Sequence, residues 1–280
     1  ERTLALVKGD IDVYTGGLAT LLPQIEKGQP IVMFMNTGTL GTGIVAGKDV
    51  KDWADLKGKQ VETLRGSIMH MQLLDELKMH GLSDKDVQFK FATKPQDMSA
   101  DLKQGNVAAI SSLEPFTTEA VVDGYARFLS FPYDTQVGWR AQGAWAVRAD
   151  FLKQHADVAQ LMADENVALV KAYHEQPSKL LDDSMRLLNF KPDYKPIVEA
   201  SMHNLALPVA IDAAGVKDIQ GTAKFMVQFG QLKAVPDLSK AIDMSFVDKA
   251  EQKVSWKAPT KLYSVLTPPA WDPSFKFPTR

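Results

Sequence analysis

One stretch of the chain, QVETLRGSIMH at residues 60–70, reads as a strand followed by a glycine, a serine and the start of a helix. Ser67 stands where an N-cap residue would stand, and the residues after it predict a helix over 67–80, ended by Gly81. The amides of Ser67 to His70 would be the free donors of this helix start, which favours an anion by donor geometry and by the helix dipole. The alternative is that Ser67 only caps its own helix.

The alternation of strand and helix in this stretch continues on both sides of it. The apolar run at residues 30–35 carries apolar side chains on both faces, as a strand of a parallel sheet between two layers of helices requires. We therefore predict an α/β fold with mainly parallel sheets, helices on both faces and a helix-rich C-terminal part. The predicted strands and extended segments cover residues 10–14, 30–35, 42–46, 60–64, 87–91, 108–112 and 144–148, and the predicted helices cover 18–27, 67–80, 95–104, 115–123, 158–174, 178–188, 194–204, 213–232 and 245–253.

The helix predicted over residues 158–174 has an apolar stripe at spacings of three and four. Its members are Val158, Leu161, Met162, Leu169, Val170 and Tyr173. We expect this stripe to be the face that packs on the core, with the acidic residues opposite.

Length and composition predict about two ordinary globular domains. The chain has 280 residues, 45% of them apolar and 24% charged, and a domain takes ~150 residues. The net charge is −2, which argues against a nucleic acid as partner because polyanions bind basic surfaces. No window approaches the ~18–20 consecutive apolar residues of a membrane span.

The chain contains no cysteine, which excludes disulfides, Cys-ligated zinc and thiolate nucleophiles. His70 and His80 lie ten residues apart on one predicted helix, about 280° round its axis, and cannot share a metal ion. The motifs HExxH, GxSxG, Walker A and GxGxxG are all missing from the sequence. We therefore predict no catalytic residue, no metal and no cofactor.

Three further segments bring polar or charged residues to predicted loops. Tyr14-Thr15-Gly16-Gly17 forms a second strand-to-helix junction, and two such junctions in separate α/β lobes are what a ligand cleft needs. Glu114 precedes Pro115 at a third junction, where it would either cap its own helix or contact a ligand. Trp139 and Arg140 could clamp a planar or anionic solute, although an exposed Arg beside a half-buried Trp is the commoner arrangement.

Five segments follow one another along the chain in a familiar order: GDIDV at 9–13, DWADLKGKQV at 52–61, RGS at 65–67, GNVAA at 105–109 and LEP at 113–115. Together they resemble the substrate-binding proteins of ABC importers, of the nitrate/sulfonate/taurine and thiamine-precursor type. The resemblance covers about residues 5–175, and the order of the segments carries it more than any single one.

The resemblance implies a type 2 periplasmic-binding-protein fold, in which two lobes joined by two crossovers close on a solute by hinge motion. Mapped onto this chain, lobe one is residues 1–43 and 143–280, lobe two is residues 44–142, and the crossovers are 41–47 and 142–148. Family members begin with a strand, a helix and a strand before the GDIDV segment, so lobe one is expected to lack these elements. Residues 259–280, rich in proline, are expected to form an extended tail.

The resemblance also implies which residues contact the solute. Those that match positions of family contacts are Tyr14, Thr15, Gly16, Asn36, Thr37, Gly66, Ser67, Ile68, His70 and Glu114. Trp139 and Arg140 join them on the reasoning given above. We expect the negative group of the solute at the helix start of Ser67, with Arg140 as a counter-charge, and Glu114 as the partner of an amine.

These observations predict a solute receptor without chemistry of its own. It would capture a small anionic or zwitterionic solute, such as a sulfonate, nitrate or taurine, and deliver it to an ABC permease as a periplasmic or exported monomer whose signal peptide is not in this chain. One alternative is an enzyme on the same fold, either a desulfinase, which in that family works through a cysteine, or a pyrimidine-forming synthase. Another is a domain that senses the solute for a signalling partner.

Overall fold

Backbone contacts divide the chain into two units, and the computed structural model describes residues 2–37, 39–131 and 141–258. Within the described residues, the first unit contains 2–37, 39, 141–182 and 206–258, and the second contains 40–131 and 183–205. The predictions made for Trp139, Arg140 and the tail at 259–280 lie outside the described residues.

Strands and helices alternate in the first half of the chain and helices dominate the rest, so the predicted mixed α/β fold is confirmed. No helix in the described ranges is long and apolar enough to cross a membrane. The strands are β1 (Val13–Gly17), β2 (Ile31–Asn36), β3 (Thr39–Leu40), β4 (Thr42–Gly47), β5 (Gln60–Leu64), β6 (Gln88–Ala92), β7 (Ala109–Leu113), β8 (Ala126–Ser130), β9 (Gly143–Arg148) and β10 (Leu205–Ala206). The helices are α1 (Arg2–Lys8), α2 (Leu18–Glu26), α3 (Ile68–Met79), α4 (Pro95–Gln104), α5 (Phe116–Val122), α6 (Ala149–Gln154), α7 (Ala156–Glu175), α8 (Pro177–Leu187), α9 (Lys195–His203), α10 (Ala213–Gln228) and α11 (Ser245–Lys253).

The first unit is built on a sheet of order β1-β9-β2, in which β9 runs antiparallel to both neighbours. The apolar run of β2 is buried along its whole length, as predicted. Phe34, Met35 and Val147 share one apolar cluster with residues of α7 and α11. The burial of β2 on both faces explains why its sequence shows no polar alternation.

Helix α7 packs through a face that includes Val170 and Met162 of the predicted stripe but not its leucines. Its buried residues are Ala159, Ala163, Val167 and Val170. Leu161 and Leu169, which the predicted stripe contains, are 59% and 52% exposed. Alanines let α7 approach α11 and the sheet closely, but their weak hydrophobicity does not mark a packing face in the sequence.

The second unit contains a five-stranded sheet of order β6-β5-β7-β4-β8. On one face, Val61 and Ala109 pack with Leu73 and Leu77 of α3. On the other face, Ile110 packs with residues of α4 and α5. Helices therefore cover both faces of this sheet, as predicted.

The predicted predominance of parallel pairing is wrong. In these two sheets, β5 is parallel to β6 and β7, whereas the other four neighbouring pairs in the described chain are antiparallel. Each antiparallel pair includes β4 or β9. Strand β4 is the first strand of its sheet after the chain enters the second unit, and β9 is the first strand of its sheet after the chain returns to the first unit. No crossover helix on the same sheet precedes these strands, so the βαβ geometry that aligns parallel neighbours does not apply to them. An apolar run shows burial on two faces but not strand direction.

Residues 183–205 belong to the second unit, whereas the sequence prediction places them in lobe one. The Tyr194 hydroxyl donates to Glu119 over 3.0 Å, and the Asn204 side-chain amide donates to Glu114 over 2.8 Å. Helix α9 thereby packs on α5. The periodicity of a helix indicates its apolar face but not the surface that this face meets.

Candidate functional site

In the first unit, the carboxyl ends of β1 and β2 meet the start of β9. Gly16 of β1 and Asn36 of β2 both lie opposite Ala144, and the Thr37 amide donates to the Gly143 carbonyl over 3.5 Å. Because β9 is the central strand, it brings two segments that are distant in sequence to one end of the sheet. The predicted residues Thr15, Gly16, Asn36 and Thr37 are therefore grouped there.

Two glycines at this end of the sheet are required by close approach. A Cβ on Gly16 would overlap the ring of Tyr14, whose hydroxyl shares a hydrogen bond with Thr20 Oγ1 over 2.7 Å. A Cβ on Gly143 would lie 2.5 Å from Thr37 Oγ1 and 2.6 Å from the Gly16 carbonyl oxygen. At Gly143 the obstacle is the backbone of Gly16, which cannot move aside, whereas at Gly16 it is the side chain of Tyr14.

The polar side chains of this group differ in exposure. Thr15 is exposed, whereas Asn36 is only 1% exposed and its backbone amide donates to the Val209 carbonyl over 2.7 Å. Tyr14 is also buried, with its hydroxyl held by Thr20. Thr15 is thus the most exposed of the predicted contacts of the first unit, and Gly16 and Thr37 are half-buried.

In the second unit, the β5–α3 turn is held by its own hydrogen bonds. Ser67 Oγ accepts from the His70 amide over 3.2 Å and donates to the Leu64 carbonyl over 2.7 Å, so Ser67 caps α3. The Ser67 amide also donates to Leu64, over 3.1 Å. Two of the four amides predicted to be free are therefore occupied, and the described hydrogen bonds include no acceptor for those of Ile68 and Met69.

Gly66 and His70 fix the conformation of this turn. Gly66 has a φ of +69°, and its amide donates to His70 Nδ1 over 3.2 Å. An imidazole that accepts at Nδ1 is neutral and carries its proton on Nε2. Burial, and then the positive charge of Arg65, lower the pKa of His70 and favour this neutral form.

His70 is packed against aromatic rings of the edge strand β6. Its ring meets Phe89 and Phe91 edge-on, with centroids 5.3 and 5.2 Å away. Arg65 lies over Phe91 from the same turn. The prediction names His70 but misses Arg65, although a cation directly before Gly66-Ser67 in the sequence is a signal that could have identified it.

Glu114 lies at the end of β7, the parallel neighbour of β5, and its carboxylate is engaged within the unit. Oε1 accepts from Asn204 over 2.8 Å, and Oε2 accepts from the Thr118 amide over 3.1 Å. Burial raises the pKa of this carboxyl group. Of the two predicted roles, the cap on its own helix is thus present in the structure, and Asn204 is a partner that the sequence reasoning missed.

The last two candidates, Trp139 and Arg140, lie outside the described residues. Within the described ranges, no group of three His, Asp or Glu side chains is placed to hold a metal ion. The described candidate residues therefore form two separate groups, the strand-end group of the first unit and the β5–α3 turn of the second.

The two mixed α/β units have the fold of solved periplasmic sulfonate-binding proteins. The chain belongs to the NMT1/THI5-like family, whose model matches residues 3–163. The resemblance inferred from the sequence is thereby confirmed.

Two sulfonate-binding proteins show how far the similarity extends. The aliphatic sulfonates-binding protein of Escherichia coli (strain K12) is 33% identical over 140 residues, which are 49% of this chain and 43% of that protein. The chain thus matches less than half the length of this curated relative. The alkanesulfonate-binding protein SsuA from Xanthomonas axonopodis pv. citri, bound to MOPS, has a TM-score of 0.71 at 21% identity, covering 86% of this chain and 83% of that one.

The desulfurization enzyme DSZB shares the same fold. Its TM-score is 0.60 at 18% identity, with 88% of this chain and 87% of that chain covered. Binding proteins and an enzyme thus have similar folds, so the choice between them depends on the residues of the site.

Proposed function

We propose that this protein captures a small organic anion, with an alkanesulfonate as the first candidate, for an ABC import system. The observation that carries this proposal is the Ser67-capped turn, where the amides of Ile68 and Met69 open a twelve-residue helix without an acceptor among the described hydrogen bonds. The sulfonate-binding relatives support the solute class.

Each unit would supply its own set of contacts. In the first unit, the Thr15 hydroxyl and the groups of Asn36 and Thr37 would donate to or accept from the solute. In the second, Gly66 and Ser67 would shape the turn that receives the negative group. Polar groups of this kind orient a small solute, and the apolar lining around them supplies contact area.

Glu114 is a less direct candidate for a solute contact. Its carboxyl group is buried and already accepts two hydrogen bonds within its unit, so binding an amine would require it to exchange partners. We therefore propose that a negative group is the essential feature of the solute and that an amine is not required.

The enzymatic alternative is the weaker one. The chain has no cysteine, and a desulfinase of the kind named above needs one as its nucleophile. We propose a receptor that releases its solute unchanged to a membrane permease, outside the cytoplasm, and that acts as a monomer.

Titration calorimetry with a panel of solutes tests this function. The panel contains butanesulfonate, taurine, nitrate, a pyrimidine and neutral butanol as a control for the apolar chain. We expect binding of the sulfonates and none of butanol. Incubation of any ligand with the protein, followed by mass spectrometry, should return it unchanged. Failure of every sulfonate to bind, or conversion of one into a product, would contradict the proposal.

A further inference from the structure

Arg65 stands between strand β5 and the Ser67-capped turn, and its guanidinium is held on an aromatic ring. The guanidinium carbon lies 3.8 Å from the centroid of Phe91 on β6, and Phe89 stacks on Phe91 with centroids 5.7 Å apart. Stacking restrains the plane of a guanidinium while its N–H donors at the edge stay available. The cation is therefore positioned without its donors being consumed.

The charge of Arg65 is not neutralised by an ion pair in the described part of the chain. Other arginines are engaged, since Arg148 pairs with Asp12 and Asp150, and Arg186 pairs with Asp183. Arg65 has no such carboxylate partner among the described ion pairs and is exposed. An exposed, unpaired and aromatic-stacked cation beside a polar turn is suited to bind an anion from outside the protein.

Arg65 carries the full positive charge of this turn, because the groups beside it are neutral or only partly charged. His70 accepts from the Gly66 amide and is neutral in that state. The amides of Ile68 and Met69 contribute only the partial charge of a helix start. The guanidinium of Arg65, the residue before Gly66, adds a unit charge and two parallel donors, which match two oxygens of a sulfonate or carboxylate.

From this arrangement we propose that Arg65, held by Phe91, is the residue that determines the selectivity of the site for oxyanions. The inference rests on the proposed solute-binding function and names the residue that recognises the negative group. The ligand class is an organic anion with at least two equivalent oxygens, because a guanidinium binds such a group through two hydrogen bonds.

Calorimetric titration of butanesulfonate into the wild type and four variants tests this assignment. Arg65→Gln should weaken binding by about 10- to 100-fold, because the variant loses the charged hydrogen bonds between the guanidinium and the sulfonate. Arg65→Lys keeps the charge without the paired donors, and we expect a loss of about 3- to 10-fold. Phe91→Leu keeps the guanidinium but removes the ring beneath it, and we expect the affinity for butanesulfonate to fall by about 2- to 5-fold.

Arg186→Gln is the matched control, since it removes a guanidinium from the same unit at a surface ion pair. It should bind butanesulfonate as the wild type does, and all variants should show unchanged circular dichroism. If the wild type binds butanesulfonate and Arg65→Gln binds it equally well, the assignment of Arg65 is wrong and the proposed function stands. If the wild type binds no sulfonate at all, the proposed function itself is overturned, and the assignment with it.

Discussion

The Glu114 carboxylate accepts a hydrogen bond over 2.8 Å from the side-chain amide of Asn204, a residue 90 positions further along the chain. The same amide also donates to Thr118 Oγ1 over 3.0 Å. These bonds join the start of α5 to the end of α9, and both residues are buried. They account for the grouping of residues 183–205 with the second unit rather than with the rest of the C-terminal half.

Replacing Asn204 by Ala should destabilise the protein by about 1–3 kcal/mol, because the buried Glu114 carboxylate would lose a donor and keep its desolvation penalty. Urea denaturation measures this free energy of unfolding. Asn106→Ala is the control, since it removes an exposed amide that bonds Asp101 in the same unit, and should cost about 0.5 kcal/mol or less. Equal losses for the two variants would show that the Asn204 contact is not important.

Acidification should weaken the fold through His70. Its pKa in the folded protein is lowered by burial and then by Arg65, so the unfolded chain takes up a proton at a higher pH than the folded one. The stabilisation is fully present above about pH 6.5, the unfolded value, and is lost as the pH falls through the lowered folded value. Nitrogen-detected NMR of the imidazole should give a titration midpoint below 6.5, and Nδ1 should be the unprotonated nitrogen above it.

The variant His70→Gln separates this effect from the other titrating groups. A glutamine side chain can accept from the Gly66 amide but does not titrate, so the difference in stability between variant and wild type should change with pH over the same window. A difference that stays constant from pH 7.5 to pH 5 would be incompatible with the proposed role of the neutral imidazole.

Gly66→Ala should lower sulfonate affinity by about tenfold, because a left-handed φ costs an alanine roughly 1–2 kcal/mol and the turn can relieve this cost by rotating. Gly58 provides a matched control. It has a φ of +75°, also with open space around it, and lies before β5 rather than after it. Gly58→Ala should lose similar stability and retain wild-type affinity. Loss of affinity in both variants would point to general destabilisation.

In the first unit, Gly143→Ala should destabilise the protein by about 1–3 kcal/mol and weaken binding, because its methyl group would press on Thr37 and on the Gly16 carbonyl. Gly17 is paired with Gly143 in the sheet, and a Cβ there would have only ordinary contact with Gln142. Gly17→Ala should therefore change stability by about 0.5 kcal/mol or less. Thermal denaturation measures the change in stability of each variant, and butanesulfonate titration measures the change in affinity.

Local patterns were sufficient for most of the elements, although not for β8 and α6, and for the turn around Ser67. The glycine, serine and apolar spacing of residues 60–70 predict strand, cap and helix, and these elements are present. The same local reasoning could not decide whether the Glu114 carboxylate caps its own helix or contacts a ligand, because both roles need a carboxylate at this position. The hydrogen bonds from Asn204 and Thr118 show that its oxygens are engaged within the unit.

The sequence by itself determined the α/β class, the family and the polar segments at the strand ends, because propensity, periodicity and capping act between residues close in the chain. Only the tertiary structure decided the antiparallel direction of β4 and β9, the unit to which α9 belongs and the stacking of Arg65 on Phe91. Each of these joins residues far apart in sequence, and such contacts depend on shape and partner surfaces that a local pattern does not encode. The 25 residues between Arg65 and Phe91 include the whole of α3, so their contact is a property of the folded sheet.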